Sequence, residues 1–164
     1  MRVPVSDSWW GVISLVMATL ALVSVMPAWR WVWSPELRPV PYEITAESFL
    51  TKLDSMIALY STGDLIEEIP VVHPPPGDIY LTAQRFRFFP ALELEKGRTY
   101  RLHVAAIDSV HGFTFPLAQA DLLLVPGSAT VVALTPGVIG CYAMQCSEYC
   151  GLGHNRMKGW VLVR

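Results

Sequence analysis

Residues 141–157, CYAMQCSEYCGLGHNRM, gather three cysteines, one histidine and two methionines within 17 positions, and the chain has no other cysteine. Cys146, Cys150, His154 and Met157 have ligand-like spacing, and His111 in DSVHGF offers a fifth donor. Thiolate, imidazole and thioether are soft or borderline donors that suit copper and zinc rather than hard cations. The candidate chemistries differ in how many donors they use. A Cys146–Cys150 disulfide closes a tiny loop and leaves His154 and Met157 unexplained. A structural zinc tetrahedron of Cys146, Cys150, His154 and His111 has no use for Met157, because a thioether is a poor zinc ligand. A mononuclear blue-copper site needs one cysteine, and the second thiolate would compete for the metal. Two thiolates bridging two copper ions, with one histidine terminal to each, use every donor. An electron shared through bridging sulfurs spreads the change in bond length, so each bond moves little on transfer. Burial of all five as ordinary core residues is the remaining alternative.

Such donors need a rigid frame. From residue 78 the pattern is of short stretches, alternating or β-branched and bounded by Gly or Pro: DIYLTAQRFRFFP (78–90), ALELEKG (91–97), RTYRLHVAAIDS (98–109), FTFPLA (113–118), DLLLVPG (121–127), SATVVALTPG (128–137) and KGWVLVR (158–164). Seven or eight strands in about 90 residues predict an all-β sandwich or barrel. The donor-rich stretch is then a loop held between the TPG turn and the last strand, a common way to mount function on a scaffold. Upstream, TAESFLTKLDSMIALY (45–60) places Phe49, Leu50, Leu53, Met56, Ile57 and Tyr60 at helical spacing, with Thr45 as cap. Packing on the β domain or a neighbouring subunit is the expected role; a membrane-surface position would call for a polar face richer in Lys and Arg. Residues 61–78, with Gly63, four acidic residues and Pro74-Pro75-Pro76, read as a stiff boundary.

The chain has 164 residues, is 52% apolar, and has a mean hydropathy of +0.39. The excess apolarity lies in residues 8–29, SWWGVISLVMATLALVSVMPAW, which contain no charge. As a helix this stretch would span ~33 Å, enough for a hydrocarbon core of ~30 Å. Trp9 and Trp10 at one end and Trp29, Trp31 and Trp33 at the other predict aromatic belts, and Pro27 predicts an end or kink. A cleaved signal peptide would call for a small-residue cleavage site that is missing here, and a buried core helix would not need tryptophan at both ends. SPELRPVPY (34–42) then reads as an extended exit. Basic residues flank the apolar run on both sides, so charge does not orient it. Net charge is −2: residues 71–164 carry eight Lys or Arg and six Asp or Glu, net +2, against −4 for 1–70. Nothing in this balance calls for a nucleic-acid partner.

C-S-E-Y-C-G-L-G-H-N-R-M with an upstream D-x-x-H-G-F resembles the binuclear copper (CuA) loop of cytochrome c oxidase subunit II, in the short, single-anchor form of B-type haem–copper oxidases. The resemblance implies one transmembrane helix (1–33), a linker with a short amphipathic helix (34–77) and a cupredoxin-like Greek-key barrel or sandwich (78–164). It implies Cys146 and Cys150 as bridging thiolates, His111 and His154 as terminal imidazoles, Met157 as a weak thioether ligand and Glu148 as a carbonyl ligand. Phe86 and Phe88 in QRFRFF resemble the aromatic strand through which electrons arrive, although filling the sheet interior would equally explain them. The implied cofactor is a pair of copper ions. The implied partners are the catalytic subunit I of a haem–copper oxidase, a c-type cytochrome or similar donor, and the membrane. Implied sidedness is an amino terminus in the cytoplasm and a copper domain outside the cytoplasmic membrane. No general acid, base or nucleophile cluster is present, so oxygen reduction would belong to the partner. A nitric oxide reductase subunit shares these features, and a tethered copper-delivery protein is a further alternative. Outside the pattern, Cys141 reads as a buried small hydrophobe, Met144 as packing, His103 as solvent-facing and His73 as a linker residue. The net +2 of residues 71–164 predicts a mostly apolar docking face with weak salt dependence.

Overall fold

The computed structural model describes residues 8–33 and 39–164. It divides into two compact units, 1–37 and 38–164. In the first, helix α1 (Ser8–Trp33) spans 26 residues, and its side chains from Trp9 to Val25 are exposed. It does not stop at Pro27 but continues to Trp33, since proline removes only one bond from the helical ladder. Among the described residues no helix is long and apolar enough to cross a membrane; the side chains of α1 are described without a break only as far as Val25. The side chains of Pro27, Trp29, Trp31 and Trp33 lie outside the described residues, as do residues 1–7 and 34–38 of the expected exit segment.

The second unit is an all-β barrel with one helix against it. Helix α2 (Ala46–Tyr60) begins where expected: the Thr45 hydroxyl accepts from the Ser48 N–H. Its apolar stripe buries Phe49, Leu53 and Met56, each contributing about 1.5–3 kcal/mol. The ring of Phe49 meets Tyr80 edge-on at 5.6 Å, and the Met56 sulfur accepts from the Tyr80 N–H. The helix therefore packs on the barrel.

Twelve strands form one rolled sheet. β1 (Val40–Glu43) precedes α2, and the hairpin of β2 (Ser61–Ile66) and β3 (Ile69–Val72) follows it. Sequence reading placed all three in a linker; they are short, and β1 and β2 leave most side chains exposed, so they lack an apolar alternation to announce them. β4 (Asp78–Gln84) and β5 (Arg87–Phe89) form a tight antiparallel pair where one strand was expected, because the chain reverses at Arg85–Phe86. β6 (Ala91–Leu94), β7 (Tyr100–Ala106), β8 (His111–Phe115), β9 (Ala120–Leu124) and β10 (Ser128–Leu134) follow. β11 (Gly140–Gln145) takes the first residues of the donor-rich stretch into the sheet, and β12 (Lys158–Val163) closes the chain. The order is β1-β10-β7-β4-β5-β12-β11-β8-β9, with β6 beside β12 and β3.

One cluster fills the interior, drawing Ile79 and Leu81 from β4, Leu102 and Val104 from β7, Phe113 and Phe115 from β8 and Val161 from β12. Met144 is fully buried, as expected. Cys141 is not: it lies exposed on β11, whose side chains alternate between core and solvent. His103 is also corrected, being half-buried under the Tyr80 ring with Nδ1 2.8 Å from the Tyr42 hydroxyl and Nε2 3.0 Å from Asp78. His73 lies beside Glu93 and Glu95.

Candidate metal centre

Three connections meet at one end of the barrel: the β4–β5 turn, the β7–β8 loop and the long β11–β12 loop. The last is pinned at its base, where the Cys146 N–H donates to the Met157 carbonyl at 3.2 Å and Gln145 pairs with Lys158. A 3-10 turn, His154–Arg156, reverses the chain and brings His154 and Met157 back towards Cys150. Two glycines allow the loop to lie close. A side chain at Gly112 on β8 would collide with the Ser147 hydroxyl and the Glu148 backbone N. One at Gly153 would enter the space of the Phe86 ring.

These constraints bring together every donor expected from the sequence. Cys146 Sγ and Cys150 Sγ are 3.7 Å apart. His111 Nδ1 lies 3.9 Å from the first sulfur and His154 Nδ1 3.8 Å from the second. Met157 Sδ is 3.6 Å from Cys150 Sγ, and the Glu148 carbonyl oxygen is 3.2 Å from Cys146 Sγ. Two ligands bound tetrahedrally at ~2.3 Å to one ion sit ~3.8 Å apart, so these separations fit a shared metal. They do not fit a disulfide, whose sulfurs are ~2.05 Å apart, and both cysteines are free thiols. His111, Cys146, Cys150 and Met157 are all buried. Each cysteine faces one imidazole, and the thioether lies on the Cys150 side. This sulfur-rich set fits copper chemically.

Burial, together with the neighbouring Cys146 thiol, pushes the Cys150 thiol up to about 11. A metal must displace that proton to bind.

The structure adds residues to which sequence reading gave no role. Asp108 Oδ1 lies 2.7 Å from His111 Nε2. With Nε2–H donating there, Nδ1 keeps its lone pair towards Cys146. Asp108 also accepts from the Arg85 and Ser109 N–H groups, both at 2.8 Å. Burial alone would raise its carboxyl; the hydrogen bonds from His111, Arg85 and Ser109 outweigh this and hold it below the usual range. Arg85 Nε donates to the Cys150 carbonyl at 3.2 Å, tying the β4–β5 turn to the cysteine loop. The D-x-x-H spacing in DSVH was the only local trace of the Asp108 contact.

The two phenylalanines part company. Phe88 is fully buried, edge-on to Phe113 at 5.4 Å, and has no surface to offer a partner. Phe86 is 37% exposed and lies over Gly151 and Gly153. Nearby, Arg85, Ser109, Val110, Tyr149, Cys150 and Gly151 line an open cleft of about 400 Å³. Leu152 is 97% exposed at the loop tip and Tyr149 75%.

The family model "Cytochrome C oxidase subunit II, periplasmic domain" matches residues 90–162. A Thermus thermophilus protein named cytochrome c oxidase subunit 2 is 30% identical over 103 residues, covering 62% of this chain and 76% of that protein. A second T. thermophilus protein of that name is also 30% identical, and the chain spans 61% of its length. A subunit 2 from Branchiostoma floridae is 29% identical over 128 residues, covering 78% of this chain and 46% of that one. Among solved structures, a chain of a heme-copper terminal oxidase dimer aligns over 97% of this chain and 100% of its own, at 18% identity and a TM-score of 0.59. Reduced rusticyanin aligns over 76% of this chain and 100% of its own, at 17% identity and a TM-score of 0.50. The fold is thus all-β and cupredoxin-like. The chain belongs to the cytochrome c oxidase subunit II family.

Proposed function

We propose that this chain is the electron-input subunit of a respiratory haem–copper terminal oxidase, carrying a binuclear copper centre held by Cys146, Cys150, His111, His154, Met157 and the Glu148 carbonyl. The observation that carries the reading is the Cys146–Cys150 sulfur pair at 3.7 Å with one imidazole nitrogen against each sulfur. A copper pair held by Cys146, Cys150, His111, His154 and Met157 would supply one-electron transfer with little movement of its ligands. The chain's own residues do the rest. Asp108 orients His111, Arg85 holds the Cys150 carbonyl, and the buried packing around Met157 excludes water. Phe86 is the reachable aromatic of the QRFRFF pair and serves as the point of electron uptake from a c-type cytochrome or similar donor. The electron then passes to haem in the catalytic subunit, where oxygen is reduced to water.

We propose further that residues 1–33 anchor the chain by a single span of α1, with the amino terminus in the cytoplasm and the domain of residues 78–164 on the outer, periplasmic side. Support comes from the 26-residue helix, the uncharged run 8–29 and the periplasmic description of the matching family. Protease and thiol-label accessibility in sealed membrane vesicles tests this; a protected β domain in right-side-out vesicles rules it out.

The burial of His111, Cys146, Cys150 and Met157 counts against a copper-delivery role, which needs exchangeable ligands. The decisive measurement is the EPR spectrum of the oxidised protein loaded with copper. Seven hyperfine lines are expected from one electron shared by two coppers; four lines would mean a single copper and end the binuclear reading. Turnover of the purified complex with oxygen and with nitric oxide separates an oxidase from a nitric oxide reductase.

A further inference from the structure

Among the described cations of the β unit, Lys52 on α2 lies over the Tyr80 ring and Lys96 is exposed between β6 and β7. Arg98, Arg101 and Arg164 form ion pairs with Glu95, Asp78 and Glu93, all away from the metal end. Arg85, Arg87, Arg156 and Lys158 are exposed, and among the described residues none has a carboxylate within ion-pair distance. These four flank one aromatic ring. Arg85 and Arg87 are the chain neighbours of Phe86, and Lys158 on β12 pairs in register with Arg87 on β5. Arg156 belongs to the 3-10 turn whose N-cap, Gly153, lies beneath the Phe86 ring. On the far side of β11 the charge reverses. Asp121 on β9 accepts from Thr114 and Ser147, and Glu148 is exposed beside it on the cysteine loop. Asp108 keeps its negative charge while it accepts from His111, Arg85 and Ser109, so this side carries four exposed cations against one carboxylate.

We propose that the β5–β12 side of the metal end, centred on Phe86, is the docking surface for a protein electron donor whose contact rim is acidic. The inference rests on the electron-input reading above and names the partner's chemistry. An apolar centre of Phe86 and Leu152 inside a basic rim attracts an acidic partner over about a Debye length and repels a basic one. The net +2 of residues 71–164 conceals this, because opposite charges lie on opposite sides of β11. In the transfer, one electron leaves a ferrous haem, which becomes ferric, and enters the metal centre; no atom or proton moves.

The test uses one haem protein in two charge states, horse-heart cytochrome c (basic) and its succinylated derivative (acidic), against the full-length chain. On the metal-free chain at low ionic strength, equilibrium binding should favour the succinylated form, and salt should abolish the difference. On the copper-loaded chain, that form should deliver electrons roughly tenfold faster at low salt, with the rate falling as salt rises. The double variant Arg87→Glu/Lys158→Glu should reverse both preferences while leaving reduction by uncharged hydroquinone unchanged. Faster delivery from the unmodified basic cytochrome, or indifference to salt and to the double variant, would overturn the inference. If hydroquinone cannot reduce the loaded chain at all, the electron-input reading falls first and takes this surface with it.

Discussion

Asp108 and His111 form a carboxylate–imidazole pair 2.7 Å long, at the one ring nitrogen of His111 that does not face the cysteines. The contact links a half-exposed loop to a fully buried ring. With Nε2–H donating to Asp108, the nitrogen that faces Cys146 keeps its lone pair.

Removing that carboxylate should therefore act on the metal rather than on the fold. Asp108→Ala is expected to weaken copper binding by about 10–100-fold, the usual cost of losing such an outer partner. Asp108→Asn keeps an acceptor for Nε2–H and should lose much less. Competitive copper titration measures both. Equal losses in the two variants would show that the charge, and not the orientation, matters.

Gly112 and Gly153 both sit where a Cβ would clash, yet they should respond differently. At Gly112 the obstacle includes the Glu148 backbone, so Gly112→Ala must displace the cysteine loop. A loss of about 1–3 kcal/mol of stability and of copper content is expected, with no rescue by Ser147→Ala. At Gly153 the obstacle is the partly exposed ring of Phe86, which can move. Gly153→Ala should be milder and should be rescued by Phe86→Leu. Chemical denaturation and copper content, measured on the four proteins, check the contrast.

Acid stability should depend on Asp78. Hydrogen bonds from Arg101 and then His103 hold its carboxyl below the ordinary 3.8 despite slight burial. A lowered native value means that the folded state binds fewer protons, so its contribution is present above the unfolded value and is lost as pH falls through the native one. Urea midpoints followed from about pH 6 down to 2 should drop less steeply in Asp78→Asn than in the parent. Parallel curves would show that the contact contributes nothing.

Cys141 should be the reactive thiol. It is exposed on β11, whereas Cys146 and Cys150 are buried. Maleimide labelling of the copper-loaded chain, followed by peptide mapping, should modify Cys141 alone, and Cys141→Ser should abolish labelling without loss of copper.

The cluster of Cys146, Cys150, His154 and Met157 was legible in the sequence because all four lie within one loop, where spacing alone limits how far apart they can be. So was α2, because its stripe of Phe49, Leu53 and Met56 repeats with the helical period over a full 15 residues. β1, β2 and β3 were not, since strands of four to six residues are too short to show an alternation and acquire their identity from the neighbours they pair with. Neither were the fates of Cys141 and Phe88: alternation along a strand says that neighbours face opposite ways, but only the barrel says which way is in. His111 reaches Cys146 across 35 positions of sequence, and Asp108 and Arg85 meet there because three separate connections close over one end of the sheet. The chain's own order sets which atoms are available to bind a metal; pairing between distant strands sets their distances, their burial and the charge that surrounds them.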